Sequence, residues 1–333
     1  MAHKPGKSFN YDGWYFDWFD DDLHGEPEGD LIEGLGGNDN IWGEGGADEM
    51  YGGAGEDHIY ASASGVVAAW GEDFADGGYG HDVLDFGLTT SDVELWGGGD
   101  GDWVGGGYGN DTLYGEAPGY LVDYDTTGVP YYDAAPGDDK LFGWGGNDKL
   151  FGGEGNDKLF GGDGNDYLNG GDGKYYSIDH DTMTGGDGND VIETGSWTYA
   201  TMTGGSGHDT FVVHSSPDDN PHQITDFQGS QDRWNGAWDT ICVDYGPDVT
   251  ASNYVETMIA HDGGYNLAKS FAQYYIAQGE YKYVFITDSV NGYFFYGDGY
   301  GGGDVDVAAI LDGLDELSDF GLKNVVNDFD SPF

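Results

Sequence analysis

A lone aliphatic residue recurs at every ninth position through Ala134–Gly173: Leu141, Leu150, Leu159 and Leu168. Each follows an aspartate by two places (Asp139, Asp148, Asp157, Asp166). Glycines run ahead of each aspartate, as in Gly152-Gly153-Glu154-Gly155-Asn156-Asp157-Lys158-Leu159-Phe160. The glycine-rich first six places tolerate positive φ and close backbone approach, so each unit opens with a turn. The last three places, polar or aromatic on either side of the aliphatic residue, predict a very short strand whose middle side chain alone faces inward. One such unit buries one residue and cannot fold alone. Stacked two to a coil, the units place Leu141 over Leu159 and Leu150 over Leu168, giving a thin continuous core.

The same spelling returns elsewhere in phase. From Gly25 four copies carry Asp30, Asp39, Asp48 and Asp57 in sixth place, with Ile32, Ile41, Met50 and Ile59 in eighth. Single copies follow at Gly77 (Asp82, Leu84), Gly185 (Asp190, Ile192) and Gly204 (Asp209, Phe211), and a pair at Gly97–Tyr114 carries Asp102 with Val104 and Asp111 with Leu113. Asp100 stands there where the fourth-place glycine belongs. Ala61–Asp76 and Gly115–Asp133 read as insertions, with the roll continuing beneath them, and the central block ends at Lys174 and Tyr175. Phe9–Phe19, dense in aromatics, reads as a lid over the first coil.

Beyond Val213 the pattern changes. Ile224–Phe227, Thr240–Val243, Tyr281–Thr287, Gly292–Tyr296 and Val305–Leu311 read as strands, with Gly297–Gly303 as a turn. Asn253 with Glu256 predicts a capped short helix to about His261, and the spacing of Leu267, Ala268, Phe271 and Tyr275 predicts a second helix over Tyr265–Gln278. The expected architecture is all-β: a right-handed parallel β-roll over residues 25–212, an N-terminal capping segment over 1–24, and a small mixed α/β cap over 213–333.

Chemistry follows from the stacking. Aspartates eighteen residues apart come together one coil up, Asp139 by Asp157 and Asp148 by Asp166, and such carboxylates repel unless a cation lies between them. Calcium, bound by carboxylate and backbone carbonyl oxygens, suits the irregular geometry of a turn better than magnesium. The expected ligands are Asp30, Asp39, Asp48, Asp57, Asp82, Asp102, Asp111, Asp139, Asp148, Asp157, Asp166, Asp190 and Asp209. With 63 acidic against 10 basic residues and a formal charge of −53, the chain without cations repels itself, and nucleic acid and anionic membranes are poor partners. No apolar run reaches the length of a membrane helix, and no cleaved N-terminal signal is expected. The single cysteine, Cys242, permits no internal disulfide and reads as a buried strand residue.

Aromatics fill ninth place (Trp42, Tyr51, Tyr60, Tyr114, Phe142, Phe151, Phe160), and Lys140, Lys149 and Lys158 fill seventh place in the central block. Both positions point away from the core. Phe142, Phe151, Phe160 and the three lysines therefore form either a polysaccharide- or partner-binding strip or the packing surface beneath the inserted loops. No H-E-x-x-H, G-x-S-x-G or phosphate-binding loop occurs, and His81 and His208, in fifth place of their turns, are expected in solvent. No catalytic constellation is expected.

Residues 25–212 resemble the β-roll of RTX calcium-binding proteins. The run Met202–Val213 to Ile224–Phe227, with Tyr283–Asp288 and Leu317–Phe320, is similar to the C-terminal domain of serralysin-type secreted proteins. The resemblance implies export from Gram-negative cells by the type I secretion machinery without a cleaved signal, and folding outside on meeting calcium. Asp328–Phe333 departs from that family's end, which carries an acidic residue followed by several aliphatics. Three roles fit the resemblance: a non-catalytic surface or matrix protein, a calcium-dependent polysaccharide-binding module, and a small pore-forming or host-interacting protein.

Overall fold

In a computed structural model the nine-residue spelling becomes a two-sheet coil. The structure describes residues 19–62, 72–116, 137–173, 179–196, 198–214, 221–228, 239–243, 254–258, 264–277, 283–287, 291–297, 307–312 and 325–327. Most of the aromatic lid (Phe9–Phe19), the loop 117–136, Lys174, Tyr175, the turn after Gly297 and the chain end lie outside them. Two compact units are present, Met1–Asp166 and Tyr167–Phe333.

The first unit holds β1 (Asp22–His24), β2 (Leu31–Gly36), β3 (Asn40–Trp42), β4 (Glu49–Ala54), β5 (His58–Tyr60), β6 (Phe74–Tyr79), β7 (Val83–Asp85), β8 (Glu94–Gly99), β9 (Trp103–Gly107), β10 (Thr112–Glu116), β11 (Lys140–Gly145), β12 (Lys149–Phe151) and β13 (Lys158–Asp163). Odd-numbered strands follow one another in one sheet and even-numbered strands in the other. Every described pairing in this unit is parallel, as in Leu141 opposite Leu159 and Met50 opposite Ala75. The middle residue of each strand core is buried: Ile41, Ile59, Leu84, Val104, Leu141 and Leu159 line one sheet, and Ile32, Met50, Ala75, Leu95, Leu113 and Leu150 the other. Its neighbours are mostly half-buried or exposed, with exceptions such as Trp96 of β8. The roll runs on across the insertion expected at Ala61–Asp76, because β6 pairs with both β4 and β8.

The second unit holds β14 (Tyr167–Asn169), β15 (Asp179–Asp187), β16 (Val191–Glu193), β17 (Thr198–Ser206), β18 (Thr210–Val213), β19 (His222–Ile224), β20 (Thr240–Val243), β21 (Tyr254–Met258), α1 (Gly264–Ala277), β22 (Tyr283–Thr287), β23 (Asn291–Tyr296), β24 (Val307–Asp312) and β25 (Val325–Asn327). One sheet runs β15-β17-β19-β24-β23-β22-β21 and the other β14-β16-β18-β20-β25. Parallel coils give way to the antiparallel ribbon β22-β23-β24. Ala268, Ala272 and Ile276 of α1 pack on Val284, Ile286, Tyr293 and Phe295. The helix expected over Tyr265–Gln278 is therefore present within a residue at each end. The short helix expected from Asn253 is not. Tyr254–Met258 is strand β21, paired in register with Tyr283–Thr287, and the sheet partner overrides the local capping pattern. The strand expected at Ile224–Phe227 ends at Ile224.

Candidate metal centre

Each turn presents its aspartate inward, beneath the next coil. One carboxylate oxygen, Oδ1, accepts the backbone N–H of the residue in the same place one coil before. Asp39 N–H donates to Asp57 Oδ1 at 2.8 Å, Asp57 N–H to Asp82 Oδ1 at 2.7 Å, and Asp82 N–H to Asp102 Oδ1 at 2.8 Å. Asp139 N–H likewise reaches Asp157 Oδ1 at 2.9 Å, and Asp148 N–H reaches Asp166 Oδ1 at 2.9 Å, which is the eighteen-residue stacking read from the spacing. In the second unit Asp190 N–H donates to Asp209 Oδ1 at 3.0 Å. These bonds fix the carboxylate plane and leave Oδ2 to face the turn.

Oδ2 is the atom that asks for a cation. In Asp48, Asp57, Asp82, Asp102, Asp111, Asp139, Asp148 and Asp209 it is buried and accepts no hydrogen bond. A buried acceptor left so costs about 1–3 kcal/mol, and more when charged. A backbone carbonyl converges on the same space. A Cβ built on Gly52 would lie 2.5 Å from both Asp57 Oδ2 and the Gly77 carbonyl oxygen, and one built on Gly34, Gly97, Gly115 or Gly143 would collide in the same way with the Asp39, Asp102, Asp139 or Asp148 carboxylate. First-place glycine is thus required to open a cradle lined by oxygens. Among the described residues no three His, Cys, Asp or Glu side chains gather, so each cradle offers one carboxylate with carbonyls around it. That donor set fits calcium, a hard cation that accepts carbonyl ligands in flexible geometry.

Electrostatics says the same. Burial pushes the carboxyls of Asp57 up to about 6, Asp139 to about 7, Asp82 and Asp148 to about 8, and Asp102 to about 10, and neighbouring carboxylates add to the rise, column members among them except at Asp139, where Asp138 does so. Without a positive charge Asp82, Asp148 and Asp102 stay largely protonated at neutral pH.

Twelve of the expected ligand positions sit in such columns, within one unit or the other, at no more than 3 % exposure: Asp39, Asp48, Asp57, Asp82, Asp102, Asp111, Asp139, Asp148, Asp157 and Asp166 in the first unit, and Asp190 and Asp209 in the second. Asp30 differs. It is half-buried, and its Oδ2 accepts the Glu26 N–H at 2.6 Å. The columns also hold residues that motif reading passed over. Asp73 accepts from Asp48 N–H at 3.1 Å, and Asp239 accepts from Asp209 N–H at 3.0 Å. Aspartate followed by an inward residue two places on survives there as Asp73-Phe74-Ala75 and Asp239-Thr240-Ile241, although the first- and second-place glycines are gone. Asp239 differs in that its Oδ2 takes the Gln228 N–H at 2.6 Å. His222 replaces the aspartate in one coil: buried, it accepts the Ala200 N–H at Nδ1, 3.2 Å, and its Nε2 donates to the His214 carbonyl at 3.0 Å.

The expected outer strip divides between the sheets. Lys140 and Phe142 lie beside Lys158 and Phe160 on the odd-numbered sheet, whereas Lys149 and Phe151 lie beside Thr112 and Tyr114 on the even-numbered one. Phe142 stacks on Phe160 with centroids 4.9 Å apart, as Phe151 does on Tyr114, so these rings turn their faces on one another. His81 and His208 are exposed, and Cys242 is buried, as the spacing implied. A polar cavity in the second unit, lined by Asn169, Asp172, Glu193, Ser196 and His214, has no motif signal. Burial raises the Glu193 carboxyl there, but hydrogen bonds from His214 and Tyr167 outweigh it and hold the group below its ordinary value.

The chain matches the family described as RTX calcium-binding nonapeptide repeat (4 copies) over residues 19–60, 96–117, 133–159, 145–174 and 177–196. No curated protein matches it.

Proposed function

For a chain built on RTX calcium-binding nonapeptide repeats, which hold several calcium ions, we propose that the ions are the fold's missing half: a secreted, non-catalytic protein, expanded at low calcium, that closes into its β-roll outside the cell. The observation that carries this is the column of buried carboxylate oxygens with no hydrogen-bond partner. A chain of net charge −53 has no reason to bury such groups unless cations come with them. When bound, calcium supplies the positive charge that lets the aspartates ionise in place. The chain itself contributes the glycine cradles, the Oδ1 bonds that orient each carboxylate and the inward aliphatic ladder.

Magnitudes support a switch outside the cell. A site with Kd of about 10⁻⁴ M is nearly empty at micromolar calcium, yet contributes roughly 2 kcal/mol at a few millimolar. Several coupled sites would exceed the ordinary stability of a domain, about 5–15 kcal/mol. Export through a type I machinery, implied by the likeness to serralysin-type C-terminal domains, suits a chain that stays unfolded until it meets millimolar calcium. Calcium added to chelated protein is expected to produce cooperative strand ellipticity and a smaller scattering radius, with a submillimolar to millimolar midpoint and no response to magnesium. A chain already folded in chelator, or a midpoint below micromolar, would overturn the reading.

A further inference from the structure

The two columns of the first unit are not alike. On the odd-numbered side Asp39, Asp57, Asp82, Asp102, Asp139 and Asp157 follow without a gap. On the even-numbered side the order is Asp48, Asp73, Val93, Asp111, Asp148, Asp166, and the hydrogen-bond column departs from the nonapeptide spelling at two neighbouring coils.

Asp73 lies outside every matched repeat, since the matches stop at residue 60 and resume at 96. It nevertheless shares three features with the motif aspartates. It is 2 % exposed, its Oδ1 holds the Asp48 N–H, and its Oδ2 is buried with no hydrogen-bond partner.

The next coil is the reverse. Val93, 4 % exposed, fills the aspartate's place: its N–H donates to Asp111 Oδ1 at 3.0 Å, but its side chain offers no oxygen to the Asp73 N–H, so the carboxylate column is interrupted between the two. The carbonyl that would face a cation there belongs to Gly106, the first-place glycine of the following coil. The buried Thr89 hydroxyl donates to it at 3.0 Å. Thr89 is pinned in turn, its N–H on the Phe86 carbonyl and its carbonyl accepting from Tyr108 N–H. With a methyl-bearing side chain instead of a carboxylate, and a hydroxyl already on the carbonyl, nothing in this turn is left wanting positive charge.

We propose that the column, not the nonapeptide spelling, decides which coils carry calcium: Asp73 is a calcium ligand, and the turn at 86–93 is a blank in which the Thr89 hydroxyl does the ion's work. The array on this side is then broken into two runs, while the other side is continuous. The inference rests on the calcium reading above.

Calcium bound per full-length chain at saturation, measured by equilibrium dialysis and atomic emission, tests it. Asp73→Asn keeps the oxygen that holds Asp48 N–H but turns an amide NH₂ to the site, and should lose at least one ion. Asp92→Asn, an exposed acid beside the column, should lose none. The double substitution Thr89→Gly with Val93→Asp should gain one. Thr89→Val, should the double variant not fold, is expected to leave the complement unchanged. Full occupancy in Asp73→Asn, no gain in a folded double variant, or an ion lost in Thr89→Val would overturn the proposal. A wild-type chain that binds no calcium would instead overturn the calcium reading itself.

Discussion

At the scale of single residues, the turns show where glycine is required and where it is only preferred. First-place glycines are required, because any Cβ would enter the oxygen cradle. Second-place glycines serve the left-handed conformation, as Gly53 and Gly153 do at φ 109° and 111°, and a Cβ on Gly53 would also lie 2.4 Å from the Leu35 carbonyl oxygen. Leu35, Glu44 and Trp144 hold that second place at φ near 74°, and Asp100 holds a fourth place at 69°, so the turn at Gly97–Asp102 forms despite its missing glycine. A left-handed conformation costs a non-glycine residue roughly 1–2 kcal/mol. Leu35 is half exposed and loses little packing if removed. Leu35→Gly should therefore raise stability in saturating calcium by up to about 1 kcal/mol, read as a higher urea midpoint, and a lower midpoint would show that the leucine packs more than its exposure suggests. Motif aspartates were legible at this scale because the repeat marks them. Asp73 and the Thr89–Val93 blank were not, because a hydrogen-bond column has no spelling once its leading glycines are lost.

At the scale of elements, a three-residue strand with one inward side chain holds nothing by itself. Its stability comes from the neighbours above and below in the ladder. Ile41 is fully buried between Leu23 and Ile59, whereas Leu31, in an outward place, is 42 % exposed. Ile41→Ala should cost about 2–5 kcal/mol, and Leu31→Ala should stay within about 0.5 kcal/mol, both from urea melts in saturating calcium. Equal costs would mean that the outward faces, with their stacked rings, carry as much of the fold as the inner ladder. The cap shows where local reading failed. The period of Leu267, Ala268, Phe271 and Tyr275 identified α1 because a helix makes its own hydrogen bonds. Tyr254–Met258 makes its bonds to Tyr283–Thr287, a partner that no nearby residue announces.

At the scale of the whole molecule, protons and calcium compete for the same oxygens. The column aspartates carry folded-state values of about 6 to 8, as in Asp166, Asp111 and Asp148, against an ordinary value near 4. Between those limits the metal-free roll binds more protons than the unfolded chain, so its stability falls as pH rises through about 4 to 8. In chelator, lowering the pH from 8 to 5 should therefore increase strand ellipticity. In calcium the same change should raise the calcium concentration at the midpoint, because protonated aspartates bind no cation. Ellipticity that falls with pH in chelator would mean that the buried carboxyls are not what keeps the metal-free chain open.

The sequence by itself determined the coil, the inward ladder, most of the buried column aspartates and the calcium that the repeat family binds, because a nine-residue period repeats the same local physics in every unit. Tertiary structure alone decided the rest. It carried the roll through residues 74–79, split Phe142 and Phe160 from Phe151, turned Tyr254–Met258 into a strand, and put Asp73 and His222 in the column while Val93 closed one coil. The physical reason is common to all of these: each depends on what stands one coil away, at sequence distances that insertions make irregular.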